Sequence, residues 1–100
     1  MMYQIVYTNE AEQDLVEMLI YGMKEWGEIQ AESFYLDITR KIDTLTTHPN
    51  RVREKYLTNG RKVRDFIVVG TPYRAPFLID QDKKQVIILR ILRTQRNFEY

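Results

Sequence analysis

The chain has 100 residues, 44% of them hydrophobic and 29% charged, the mix of one globular domain with a modest core rather than of a disordered tail. It has no Cys and a single His. Disulfide scaffolds, thiolate zinc sites, cysteine nucleophiles and His-pair metal centres are therefore excluded, and no metal or cofactor is expected. The net charge of +1 conceals a division: residues 1–50 carry three cations and nine anions, residues 51–100 twelve cations and five anions. Either an anionic partner meets the second half, or acidic helices pair with a basic sheet inside the domain. No apolar run approaches the ~18–20 residues of a membrane helix, so no membrane association is expected. The first residues lack a basic segment followed by a long apolar core, which points to the cytoplasm.

Residues 3–7 alternate as a short strand, with Tyr3, Ile5 and Tyr7 on one side. Asn9 is placed to cap a following helix, with Glu12 three residues on, as in a capping box. Glu10, Glu12 and Asp14 lie where the helix dipole favours anions. This helix is predicted to run to about residue 24 and to end at Gly27. Leu15, Met18, Leu19, Gly22 and Trp26 share a face, which Val16, Ile20 and Met23 widen. Met18, Met23 and Trp26 read as core residues.

A second helix is predicted over 28–47, with Ala31, Phe34, Tyr35, Ile38, Ile42 and Leu45 in a seam near coiled-coil spacing. The two helices form an αα-hairpin, and His48 before Pro49 stops the second. Residues 51–60 read as a polar connection that closes in an Asn59-Gly60 turn. Residues 61–69 and 73–80 read as strands; Pro76 inside the latter favours an edge position or a bulge. Residues 81–84 form a hairpin loop, with Asp80 and Asp82 as turn acids rather than a metal pair. Residues 85–92 form the last and most apolar strand, and 93–100 a basic, aromatic tail.

The order β-α-α-β-β-β gives an α+β domain over residues 1–100: an N-terminal strand and an αα-hairpin packed on a small, largely antiparallel sheet. A helical hairpin covers one sheet face. The other is expected to carry the arginines unless a partner covers it.

These pieces, in this order, resemble the RelE/ParE toxin superfamily, the toxin half of bacterial type II toxin–antitoxin pairs. Tyr3-Gln4-Ile5-Val6-Tyr7-Thr8 followed by Ala11, Asp14 and Leu15 resembles the first strand and helix start. Tyr21, Trp26-Gly27, Ala31, and Leu45 with His48-Pro49 resemble the hairpin and its end. Gly60-Arg61-Lys62-Val63-Arg64 resembles the start of the second strand, and Tyr73-Arg74 the aromatic–Arg step of the third. Residues 86–92 followed by Arg93-Thr94-Gln95-Arg96-Asn97 resemble the closing strand and its Arg-rich end. ParE-like chains often carry His at the position of Arg93, which this chain does not.

The resemblance implies a ParE-like toxin, not an enzyme, that inhibits DNA gyrase until a cognate antitoxin neutralises it. The long hairpin with Trp26-Gly27 resembles that branch. Its alternatives are a RelE-like, ribosome-dependent mRNA endoribonuclease and a degenerate, non-toxic binding module. Under the gyrase reading no residue is catalytic, and Arg61, Arg64, Arg74, Arg90, Arg93, Arg96 and Phe98 are candidates for target binding. Under the nuclease reading Arg64, Arg90, Arg93 and Tyr100 carry the reaction, with ribosome and mRNA as partners.

The chemistry constrains these readings separately. Cleaving RNA at a 2′-OH needs a base, cations for the phosphate and an acid for the leaving oxygen. Arg stays protonated, so this set binds phosphate and carries protons poorly. His48, at a helix end beside Pro49, is a poor acid or base. Arg64 and Arg90, on predicted strands, are expected to converge on one sheet face with Arg93 just beyond. Tyr100, as the last residue, is expected to fray. The antitoxin is expected to dock beside the hairpin or on an edge strand near Pro76, giving a toxin–antitoxin hetero-oligomer.

Overall fold

The computed structural model describes residues 2–100. Strand β1 (Gln4–Tyr7) leads into helix α1 (Asn9–Trp26), and Gly27 turns the chain into helix α2 (Glu28–Asp43). Two short 3-10 turns, Thr44–Thr46 and Pro49–Arg51, precede strands β2 (Glu54–Tyr56), β3 (Lys62–Ile67), β4 (Tyr73–Asp80), β5 (Gln85–Ile88) and β6 (Leu92–Arg93). The α+β architecture expected from the sequence is the one observed: two helices on one mixed, mostly antiparallel sheet in the order β1-β5-β4-β3-β2, with β6 also pairing β4. Among the described residues only β1 runs parallel to its neighbour, β5.

The helix start differs from expectation by one residue. Thr8, not Asn9, is the N-cap: its Oγ1 accepts from the Ala11 N–H at 3.1 Å and donates to the Leu89 carbonyl at 2.8 Å. The same hydroxyl thus caps α1 and ties it to the residue that follows β5. Gly27 adopts φ 90°, a conformation open to glycine, and its N–H donates to the Met23 carbonyl. Gly22 lets the helices approach closely, since a Cβ there would lie 3.1 Å from the Ala31 Cβ. Lys41 Nζ donates to the Val69 carbonyl at 2.7 Å and so pins the β3–β4 turn to α2.

Leu15, Met18, Ile38, Ile42 and Leu45 pack on Ala75, Phe77, Val86 and Ile88 to form the core. Each large side chain removed from water in this way contributes about 1.5–3 kcal/mol. Two residues read as core lie elsewhere: Trp26 is 46% and Met23 43% exposed. Trp26 sits at the hairpin tip in edge contact with Tyr21 and Phe34, and Phe34 in turn meets Tyr73.

Two features of the sheet depart from the sequence reading. The polar connection contains β2, a three-residue edge strand paired with β3 around the Asn59-Gly60 turn. And Pro76 lies in β4, the centre of the sheet, rather than at an edge. It is tolerated because its partner on one side is interrupted. β5 pairs with Phe77–Asp80 and β6 with Tyr73 and Arg74, leaving Ala75 and Pro76 opposite the break between them. The Pro76 carbonyl accepts from the Leu89 N–H at 2.9 Å, so its missing N–H falls where no ladder bond is required. The last predicted strand is therefore two strands with a gap at residues 89–91.

Candidate functional site

The gap is shaped by Asp14 of α1. Its carboxylate accepts from Arg90 Nε at 2.7 Å, Arg90 Nη2 at 3.0 Å and the Ile91 N–H at 2.9 Å. This bidentate pair holds the Arg90 guanidinium above its ordinary pKa, with Glu10 and Glu17 acting in the same direction and partial burial opposing them. Arg90 is thus spent on fixing the gap, and the gap sets where β6 and the tail leave the sheet.

Arg64 and Arg90 do not converge. Arg64 pairs with Phe77 in register, so it lies on the helix-facing side of the sheet. There its Nη1 donates to the Val52 carbonyl at 2.6 Å and to the Asn50 carbonyl at 3.2 Å, closing the loop below α2. The opposite face carries Arg74 instead. Arg74 is only 6% exposed and makes an ion pair with Asp65 at 3.2 Å, while Lys55 meets the same carboxylate at 3.0 Å. Its Nη2 donates to the Arg96 carbonyl, and its buried Nε has no partner among the described residues.

The tail does not fray. It folds back across the outer face of the sheet, where Val63 is 1% exposed. Tyr100 donates its hydroxyl to the Lys62 carbonyl, accepts at its own carbonyl from Asn59 Nδ2 at 3.1 Å, and stacks with Phe98 at 5.9 Å. The Arg61 guanidinium lies 5.2 Å above the Tyr100 ring.

Of the candidate cations, Arg61, Arg93 and Arg96 are exposed and make no salt bridge among the described residues. Arg93 stacks 5.4 Å over Tyr73. With Arg96 it forms one wall of a groove of about 290 Å³; Asp14, Glu17 and Tyr21 of α1 form the other. Tyr21, Tyr73 and Asp14 enter the sequence reading only through the resemblance and the helix start, and they and Glu17 were not among the site candidates, because each reads as ordinary helix or strand surface. The signal available was Arg90 itself: a cation inside an apolar run needs an internal acid, and α1 supplies the nearest acidic face.

The arrangement binds better than it carries protons. His48 is exposed at the start of the Pro49–Arg51 turn, with φ 48°. The Tyr100 hydroxyl is engaged with a carbonyl. Among the described residues no group of His, Asp and Glu could hold a metal ion, and no helix is long and apolar enough to cross a membrane.

The charge division survives folding. Of the salt bridges among the described residues, Lys41–Asp37 lies within the acidic half, Lys55–Asp65 and Arg74–Asp65 within the basic half, and Arg90–Asp14 alone joins them. The helices and the sheet-plus-tail therefore remain surfaces of opposite sign.

The family profile described as the ParE toxin of type II toxin–antitoxin systems, parDE, matches residues 5–98. A search of curated protein sequences gives no significant match. Among solved structures, the chain is similar to one in the chromosomal ParDE toxin–antitoxin system of P. aeruginosa, with 24% identity, a TM-score of 0.79, and 94% of this chain and 98% of that chain covered. It is also similar to a chain of the RelBE2 toxin–antitoxin complex of Mycobacterium tuberculosis, with 21% identity, a TM-score of 0.61 and coverage of 93% and 99%. A third likeness is to the archaeal RelE–RelB complex of Pyrococcus horikoshii, with 15% identity, a TM-score of 0.65 and coverage of 97% and 100%.

Proposed function

The chain belongs to the ParE toxin family of type II toxin–antitoxin systems, and from that premise we propose that it arrests growth in the cytoplasm by binding DNA gyrase, until an antitoxin neutralises it in a hetero-oligomer. The observation that carries this reading is the engagement of the inner guanidinium groups. Arg64 is held by carbonyls, Arg74 by Asp65 and Arg90 by Asp14. Of the candidates, those that remain outward are Arg61 over Tyr100, and Arg93 and Arg96 beside Tyr21 and Tyr73, the residue types that anchor protein–protein contacts. A nuclease centre would need those inner cations free to meet a phosphate, and a proton carrier beside them. The antitoxin partner is supported by the solved relatives, which are toxin–antitoxin complexes.

The test is a supercoiling assay with purified gyrase, run beside pulse labelling of DNA and protein synthesis after induction of the chain alone. Inhibited supercoiling with an early fall in DNA synthesis is the expected result. An early fall in protein synthesis would replace this reading with ribosome-dependent mRNA cleavage, and no growth defect would replace it with a non-toxic binding module.

A further inference from the structure

One side chain fastens the tail to the turn between β2 and β3. Asn59 Nδ2 donates to the Tyr100 carbonyl at 3.1 Å, while Asn59 Oδ1 accepts from the Arg61 N–H at 3.0 Å. The amide uses both of its ends, and its donor end is the one that reaches the tail. Around this bond Tyr100 donates to the Lys62 carbonyl, stacks on Phe98 and lies under the Arg61 guanidinium.

Asn59 is also the asparagine most open to chemical change, in a residue type that is thermolabile in general. Of the four in the chain, Asn9, Asn50 and Asn97 precede Glu10, Arg51 and Phe98, and only Asn59 precedes glycine. A peptide nitrogen attacks the side-chain carbonyl of the preceding Asn most readily when its own residue has no Cβ to crowd the approach. Asn59 and Gly60 are both exposed, and a Cβ added at Gly60 would meet nothing within 4 Å, so water has access to the turn. One bond restrains the attack: the Gly60 N–H donates to the Leu57 carbonyl at 2.9 Å. That turn closes onto β2, a three-residue edge strand exposed throughout, so local opening frees the nitrogen without unfolding the core.

We propose that Asn59 is a site of spontaneous deamidation and that this modification releases the tail. The Gly60 N–H gives its proton to solvent, and the nitrogen bonds to Asn59 Cγ. The Cγ–Nδ2 bond breaks, and Nδ2 takes up a proton and leaves as ammonia. Water then opens the five-membered ring at either carbonyl, giving aspartate or isoaspartate. One water is consumed, nothing is oxidised or reduced, and no catalyst is needed. Either product puts a carboxylate that only accepts where an amide donated. The Tyr100 carbonyl then loses its donor and faces an oxygen instead. Isoaspartate also adds a methylene to the main chain inside the turn that the Leu57 N–H and Arg61 carbonyl close at 2.8 Å. The change is one-way, and it does not depend on the toxin reading.

The test ages the full chain at pH 8 beside a sample at pH 6, and follows both by peptide mass spectrometry and NMR. A gain of about 1 Da, confined to the peptide that bears Asn59 and faster at pH 8, is expected. In step with it, the NMR contacts of the Tyr100 ring with Arg61 and Lys62 are expected to fade while the signals of Phe77 in β4 stay in place. Chymotrypsin is expected to cut after Phe98 about tenfold faster in the aged chain. Asn59→Asp is expected to show the released tail without ageing. Three results would each overturn the proposal. One is no gain at Asn59 over a period in which the urea-unfolded chain acquires it. Another is an earlier gain at Asn50 or Asn97, and the third is a tail that keeps its contacts in the aged chain or in Asn59→Asp.

Discussion

Asp14 and Arg90, seventy-six positions apart, form the one ion pair that joins the acidic and basic halves of the chain among the described residues. The same carboxylate also takes the Ile91 N–H, so a single side chain sets both the electrostatic and the backbone connection between α1 and the end of the sheet.

Replacing Asp14 with Asn is expected to cost about 2 kcal/mol, because a charged acceptor of three hydrogen bonds becomes a neutral acceptor of fewer. Urea unfolding should show a lower midpoint with an unchanged slope. The reversed pair, Asp14→Arg with Arg90→Asp, should recover only part of the loss, since the shorter Asp side chain cannot reach across in the same geometry.

Charge reversal of the outward cations has a different signature. Arg93→Glu/Arg96→Glu is expected to lower inhibition of gyrase supercoiling by about tenfold or more while leaving Tm within about 2 °C, because neither side chain makes a salt bridge among the described residues. Arg74→Ala is expected to do the reverse. It leaves the partly buried Asp65 beside Lys55 alone and should lower stability by about 2 kcal/mol, seen as a loss of Tm.

Pro76→Ala should preserve the fold and weaken it slightly, by about 0.4–1 kcal/mol, through the greater freedom of the unfolded chain. The new N–H would face the gap between β5 and β6, where no ladder bond awaits it. Backbone hydrogen exchange should show β4 still among the most protected strands.

Tyr7 introduces a pH dependence. Burial raises its pKa above that of an ordinary phenol, with Asp43 and Tyr35 adding to the effect. Above pH ~10 the unfolded chain releases this proton while the folded chain keeps it, so the folded state binds more protons and stability falls as pH rises. The contribution is fully present below pH ~10 and declines by up to about 1.4 kcal/mol per pH unit above it. Tyr7→Phe should remove that slope, which a comparison of urea midpoints for the two chains between pH 8 and pH 11 would isolate.

Much of this architecture was legible in local pattern. The two helices, their Gly27 break, the hairpin seam and the bounds of β4 follow from periodicity and turn residues alone. What was hidden depends on groups distant in sequence. Thr8 and Asn9 are both competent caps, and the Leu89 carbonyl decides for Thr8. β2 has three residues and no apolar alternation, and becomes a strand only by pairing with β3. Residues 85–92 read as one continuous apolar strand, yet Asp14 interrupts it and so makes room for Pro76 in the sheet centre. In the candidate site the residue types were visible but their commitments were not, since sequence cannot say which guanidinium meets Asp65 and which meets solvent.

The charge division also orders events in time. The nine anions of the first half lie between Glu10 and Asp43, whereas the outward cations lie at Arg93 and Arg96. The chain leaves the ribosome from its N-terminus at roughly 5–20 residues per second. Strand β1 must wait for β5, some eighty positions later, before its edge of the sheet can close. The acidic helices therefore leave the ribosome seconds before the outward cations, and the two surfaces take their final places together only when β5 reaches β1.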